Sequence, residues 1–367
     1  MVGVTIPDSI EELTPAWLTG ALRSGGAIPA TTSVQTVRAQ TIGVGVGILG
    51  QLAKLELTYN TPGAGPASIV AKVASPYAET KEIARFYGFY RTEVSCYRQA
   101  MAGDGIGVRM PLIYGAEVSD DDGHFYVLLE DLSACRVADQ IVGVSLADAE
   151  HVIDMLARLH ARWWKNPALD ALSWLRPVNN PAFCAGEQQF QAVWPAFRER
   201  YSDLLSVTSL GVAERFSHQV ADMYHWLVAN RPMTMGHNDL RLDNLFFDHP
   251  DGSPVVLIDW QLSVSSIGAQ DVSYFLTQSM RTEDRRAYGE ELVRRWHRGL
   301  IDGGVMDYSL DAAREDYRRG VLLQLSISVV GSSMEAGNER GKQLFDTMVT
   351  RNFAAVDDEQ AGELLLR

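Results

Sequence analysis

The chain has 367 residues, 46% of them apolar and 21% charged, with a formal net charge of −14. That composition fits a folded protein of one large domain or two ordinary ones. The acidic balance speaks against a nucleic-acid surface and against docking on anionic lipid. Three cysteines (Cys96, Cys135 and Cys184) lie far apart with no C-x-x-C pair, so neither a disulfide framework nor a zinc site is expected. The N-terminus lacks a basic segment followed by an apolar core, and no apolar run nears the ~18 residues of a membrane span. The expectation is a cytoplasmic protein, monomer or homodimer, without membrane insertion.

In chain order, residues 9–24 read as a helix, with Thr14 as cap and Pro15 in the first turn. Residues 34–75 switch to strands: "SVQTVRAQ", "QLAKLELTY" and "SIVAKVA". A helix is expected over 77–101, then a hairpin of "PLIYGAEVS" and "HFYVLLEDL" across "DDDG". Beyond Leu132 the text is mostly helical, and Ser145 with Asp148 opens a long helix as a capping box. One short hairpin interrupts it: "LFFD" and "VVLID" around "HPDGSP". The chain therefore reads as α+β. A β-rich first part (residues 1–130) carries one main helix. A helical second part (residues 131–367) carries a small β insertion.

The first chemical signal is "GVGVGILG", where Gly45, Gly47 and Gly50 match G-x-G-x-x-G. Alone it suits a dinucleotide fold, a kinase phosphate loop or an ordinary glycine hairpin, and the hairpin is commonest. A dinucleotide site needs a helix next. Here Ala53, Leu55, Leu57 and Tyr59 alternate with polar residues, which is a strand. The second signal is Lys72 inside an apolar strand. An unpaired lysine there is costly to bury; a strand with one wet face is the plainer explanation. On the next helix Phe86, Tyr90, Val94, Tyr97 and Met101 share a stripe with Glu93 at its edge, and Glu82 is a rival partner for Lys72.

The third signal is "GHNDLRLDNLFFD", which contains H-x-D-x-x-x-x-N from His237 through Asp239 to Asn244, with Asp259 fifteen residues on. Phosphoryl transfer asks the protein mainly to position groups and neutralise charge. One carboxylate must meet the attacking hydroxyl, and two oxygen ligands suffice for Mg²⁺. Asp239 fits the first task and Asn244 with Asp259 the second. The hairpin would bring Asn244 and Asp259 to the ends of neighbouring strands. Each residue alone fits a polar loop; the ordered set is much harder to obtain by accident.

These residues, with "FYRTEVSCYRQ", "FYVLLEDLSACRVADQ", "LARLHARWW", "LIDWQ" and "GAQDVSYFL", make the chain resemble the aminoglycoside phosphotransferase/choline kinase superfamily, most of all its ecdysteroid-kinase-like branch and the kinase-like domains associated with acyl-CoA dehydrogenases. The resemblance implies a two-lobed protein-kinase-like fold binding ATP and Mg²⁺. By motif it assigns Lys72 and Glu93 to the phosphate-holding pair, Asp239 to the catalytic base, and Asn244 and Asp259 to the metal. His237 would orient the loop. Gly45, Gly47 and Gly50 would cover the phosphates, and Glu130, Asp131 and Leu132 would meet adenine through backbone groups. The family usually has glycine between the His and Asp of the loop, where this chain has Asn238. Asp271 is expected to brace the loop, and His160 to be a packed structural histidine. The leading reading is a kinase of a small hydroxylated molecule, with a nucleotide-binding pseudokinase as alternative. A protein kinase is disfavoured, because no activation loop follows Asp259. Phe183, Phe190, Trp194, Phe197 and Tyr201, if they line the acceptor pocket, suggest an apolar alcohol; the acidic balance suggests a cationic acceptor instead.

Overall fold

The computed structural model describes residues 5–43, 49–101, 105–333 and 339–366. It divides into two units, residues 1–135 with 258–261, and residues 136–257 with 262–367. Residues 131–135 and 258–261, expected in the second part, thus belong with the first. Within that segment Asp259 pairs with Lys72.

The first unit opens with a 3₁₀ turn at Ile10–Glu12 and then α1 (Pro15–Ser24), so the expected single helix is two elements. The break falls at Thr14, whose extended backbone lets its hydroxyl accept from Trp17 N, as an N-cap does. Strands β1 (Val34–Ile42), β2 (Gly50–Tyr59) and β3 (Ser68–Ala74) follow. Next come α2 (Ala78–Tyr87) and α3 (Phe89–Met101), then β4 (Ile113–Val118) and β5 (Phe125–Glu130). The five strands form one antiparallel sheet in the order β1-β2-β3-β5-β4. Alternate residues of β2, β3 and β5 (Ala53, Leu55, Leu57; Ile69, Ala71, Val73; Tyr126, Leu128) share a core with Leu18 and Leu22 of α1. Each such leucine contributes about 1.5–3 kcal/mol by burial. Period-two alternation turns Lys72, between Ala71 and Val73, to the opposite face.

The helix expected over 77–101 breaks at Gly88, whose φ of +70° is left-handed and ends α2. The apolar stripe is correspondingly shorter. Tyr90, Val94 and Tyr97 are buried, whereas Phe86 and Met101 at its ends are exposed.

The second unit begins with β6 (Arg136–Val137) and α4 (Leu146–Trp163), the latter capped by Ser145. Helices α5 (Ala168–Ala171), α6 (Pro181–Cys184), α7 (Gly186–Tyr201), α8 (Val207–Phe216) and α9 (Val220–Asn230) lead to β7 (Thr234–Gly236). The expected hairpin is β8 (Leu245–Phe247) against β9 (Val255–Leu257), with Leu245 opposite Leu257 and β6 on its other edge. Then β10 (Val264–Ser266) pairs with β7, and α10 (Gly268–Tyr274) runs into a π-helical turn, Phe275–Ser279. Helices α11 (Thr282–Asp302), α12 (Leu310–Gly331) and α13 (Glu339–Asp358) complete it. Glycine permits close helix approach: a Cβ on Gly299 of α11 would lie 2.6 Å from that of Ala157 on α4. Among the described residues no helix is long and apolar enough to cross a membrane.

Candidate active site

Lys72 is 7% exposed and Glu93 only 1%. The ammonium donates to both Glu93 oxygens, at 2.9 and 2.8 Å, and to Asp259 Oδ1 at 2.9 Å. Glu82, the rival partner, is exposed and pairs with Arg85 at 3.7 Å. Asp259 adopts φ +63°, a left-handed backbone that aspartate tolerates better than most residues. Its N–H donates to Tyr97 Oη at 3.3 Å, and Gln261 Nε2 donates to its Oδ2. One ammonium therefore faces two carboxylates. Burial would lower the Lys72 pKa, but Asp259 and Glu93 outweigh it and hold it above the usual lysine range. Burial pushes the Glu93 carboxyl up to about 7; Lys72 draws it back and Asp259 adds to the rise.

The glycine positions divide. Gly45 and Gly47 lie outside the described residues. Gly50 opens β2 opposite Ala74, and a Cβ there would lie 2.8 Å from the Val73 carbonyl, so close strand approach alone demands a glycine. At the far end of the sheet Glu130 accepts from Arg109 and from Leu112 N, both at 2.9 Å. Asp131 is tied to Lys54 at 2.7 Å and Ser68 at 2.6 Å. Burial would raise its pKa, but these partners hold it at about 2. Leu132 is buried, and its carbonyl accepts from Cys135 N.

In the second unit the loop after β7 is built around Asp239, 6% exposed. Asp239 Oδ1 accepts from Tyr274 Oη at 3.0 Å and Arg241 Nε at 3.1 Å. Its Oδ2 accepts from Asn244 Nδ2 at 3.0 Å, and the same amide donates to the Asp239 carbonyl at 2.9 Å. Both donations come from one end of the Asn244 amide, leaving Oδ1 at the other. His237 is fully buried, and its Nδ1 accepts from Asp239 N at 3.2 Å.

Asp271, on α10, braces this loop. Its two oxygens accept from His237 N and Asn238 N, each at 2.8 Å. His160 Nε2 lies 3.2 Å from Asp271 Oδ2, while His160 Nδ1 accepts from Trp296 Nε1 at 3.0 Å. The tryptophan N–H can only donate, so the proton of a neutral His160 sits on Nε2, facing the carboxylate. Asn238 has φ +62°, a region glycine enters freely and asparagine more readily than other side chains. Asparagine thus meets here the backbone demand that the glycine expected from the resemblance would meet.

Four of the five aromatics expected near the acceptor are core, and Phe183 is half-buried. Phe190, Trp194, Phe197 and Tyr201 are 7% exposed or less. Trp194 stacks between Phe190 and Phe197, and Phe197 against Phe353 of α13. Their spacing reported a buried face, without saying what covers it. Sequence reasoning also missed Tyr274, three residues beyond Asp271 in an apolar run, where a hydroxyl was the only signal.

Fold and motifs together define a two-lobed α+β small-molecule phosphotransferase of the protein-kinase-like class. Choline kinase from Cryptosporidium parvum shares the fold at 10% identity, over 93% of this chain and 96% of that one, with a TM-score of 0.54. An aminoglycoside phosphotransferase from Alicyclobacillus acidocaldarius does so at 17% identity, over 92% and 95%, with a TM-score of 0.50. The ethanolamine kinase Pv091845 of Plasmodium vivax does so at 11% identity, over 88% and 81%, also at 0.50. The chain belongs to the ecdysteroid kinase-like family, whose model matches residues 47–304. No curated protein matches it by sequence. It is a small-molecule kinase.

Proposed function

We propose that the protein transfers the γ-phosphoryl group of ATP, with Mg²⁺, to a hydroxyl of a small molecule. The observation that carries this reading is the Lys72–Glu93–Asp259 group. A structural salt bridge needs one acid; here two acids share one base, and the Asp259 side chain keeps 19% exposure. Two carboxylates gathered at one ammonium fit chemistry that handles further charge, and the oxygen ligands that the motif supplies, from Asp259 and Asn244, would suit a hard cation. Magnesium, held by Asp259 and Asn244, would neutralise charge developing on the phosphate oxygens.

The chain's own residues would do the rest. Lys72, aimed by Glu93, holds phosphate oxygens. Gly45, Gly47 and Gly50 cover the phosphates, and the main chain of Glu130, Asp131 and Leu132 meets adenine. A carboxylate has about four acceptor sites, and Asp239 uses three on Tyr274, Arg241 and Asn244, which leaves one for the acceptor hydroxyl. The hydroxyl oxygen attacks the γ-phosphorus, the bond to the ADP oxygen breaks, and Asp239 takes the hydroxyl proton. His237 holds the Asp239 backbone. For the acceptor we propose a largely apolar alcohol of steroid or terpenoid kind, a reading the family name supports and the aromatic row no longer does. The net charge of −14 favours a cationic acceptor as the second reading.

The test is a screen of hydroxylated metabolites for an ATP-dependent gain of phosphoryl mass. Asp239→Asn should abolish transfer and leave nucleotide affinity within a few-fold. Equal turnover in wild type and variant would replace the kinase mechanism by a nucleotide-binding module. Steep salt inhibition of acceptor binding would favour the cation, since exposed attractions are screened over ~8 Å at physiological ionic strength.

A further inference from the structure

Gln140 is 3% exposed, in the loop before α4, and both ends of its amide are used. Oε1 accepts from Leu242 N at 2.7 Å. Nε2 donates to the Gln278 carbonyl at 3.0 Å and to Ser279 Oγ at 3.3 Å. Ser279 Oγ in turn donates to the Leu240 carbonyl at 3.1 Å. Two side chains that bond each other therefore hold the backbone on both sides of Arg241, next to Asp239. The Gln278 carbonyl is one that a helix end leaves over, since the π-helical turn stops at Ser279.

Arg351 of α13 completes the arrangement. Its guanidinium, 7% exposed, donates to the carbonyls of Gln140 (2.7 Å), Gln278 (3.0 Å) and Ile141 (2.8 Å). Among the described residues it forms no ion pair with a carboxylate, and burial lowers its pKa from the usual arginine value. Holding a buried charge away from carboxylates is costly; here three charge-assisted hydrogen bonds, two to the 140–141 loop and one to Gln278, offset that cost. Three turns earlier on the same helix, Arg340 Nη2 donates to Asp139 Oδ2 at 2.7 Å. Asp139 Oδ1 caps the loop by accepting from Ile141 N at 2.8 Å. Helix α13 thus grips the 139–141 loop at two points. It lies wholly beyond residue 304, where the family match ends.

We infer that Gln140, Ser279 and Arg351 form a positioning clamp through which the C-terminal helix fixes the backbone of the Asp239 loop, so that turnover depends on a helix outside the matched family region. The inference rests on the reading of Asp239 as the catalytic base. None of the three is assigned contact with substrate; they act through the Leu240–Leu242 backbone.

Two measurements on the full chain test it, neither needing the natural acceptor. The first is hydrogen exchange by mass spectrometry on peptides spanning residues 238–245. Gln140→Leu and Arg351→Met should each speed exchange there about tenfold or more, and the double variant should add little, since both cut one connected network. The second is phosphate release from ATP–Mg²⁺ with water as acceptor. Its kcat should fall about tenfold or more while nucleotide affinity stays within about threefold, because misplacement acts on the reacting geometry. Exchange and kcat both within twofold of wild type in a folded Gln140→Leu protein would overturn the clamp. If that variant does not fold, Ser279→Ala, which cuts only the Leu240 link, decides by the same two criteria. Asp239→Asn run alongside separates the failures. If it releases phosphate as fast as wild type, the catalytic reading falls, while the exchange data still judge the clamp.

Discussion

Replacing Asp271 by asparagine keeps shape and volume and changes only which atoms accept. In the wild type one oxygen takes Asn238 N, and the other takes His237 N and the His160 Nε2 proton. An asparagine offers one acceptor oxygen and one NH₂. Turned either way, it sets a donor against at least one main-chain N–H that has no water to turn to, because Asp271 is fully buried. A hydrogen bond to a charged group is worth about 1.5–3 kcal/mol, and a buried donor left unmet costs about 1–3 kcal/mol. The expected loss is therefore about 2.5–6 kcal/mol, a large share of the ~5–15 kcal/mol that holds a typical domain. Urea unfolding at pH 7 measures it through the midpoint at unchanged slope. The pH dependence gives a second check. Burial would raise the Asp271 pKa, but the bonds from His160 and His237 outweigh it and hold the pKa below the usual aspartate value. A depressed carboxyl pKa stabilises above the unfolded value of about 3.9 and loses that contribution as pH falls below it. The gap between wild type and variant should therefore be full at pH 7 and narrow below about pH 4. A loss under about 1 kcal/mol at pH 7, or a gap that stays constant into acid, would refute the bracing role.

Asn238→Gly should leave stability within about 1 kcal/mol and retain turnover, since glycine accepts φ +62° without strain, whereas Asn238→Val should lose about 2 kcal/mol or more; thermal melts and phosphate release compare the pair. Gly320→Ala should destabilise by about 1–3 kcal/mol, because its Cβ would fall on the Ser273 side chain and 2.9 Å from the Ala269 carbonyl. Gly211→Ala, in α8 with nothing near its Cβ, should instead be neutral or gain up to about 1 kcal/mol. Equal unfolding midpoints for these two alanine variants would contradict the packing argument.

Much of the site was legible because its parts lie close together in sequence. The H-x-D-x-x-x-x-N spacing needs one loop, and the hairpin of β8 and β9 announces itself by two apolar runs and a turn. Lys72 and Glu93 could be matched because alternation sets one and helical period the other. What stayed hidden depends on distant parts of the chain. A glycine inside helical text does not say whether it will turn left-handed, so Gly88 passed unnoticed. The period of Phe190, Trp194 and Phe197 marks an apolar face, yet only tertiary packing against Phe353 shows that the face is covered. Gln140 and Arg351 looked like ordinary polar residues, since nothing local announces that their partners are main-chain atoms more than a hundred positions away.

The pairing of Lys72 with Asp259 spans 187 positions. A ribosome adding about 5–20 residues per second needs roughly ten to forty seconds to cover that distance. Through that interval the residues of the sheet and α3 have been made, but the 258–261 segment that belongs with them has not. Until then Lys72 has Glu93 as its acid partner, and Asp259 is the partner that is made last. The grouping of two acids on one lysine is thus a property of the longer chain, and a fragment ending at residue 135 would lack it however well it folded.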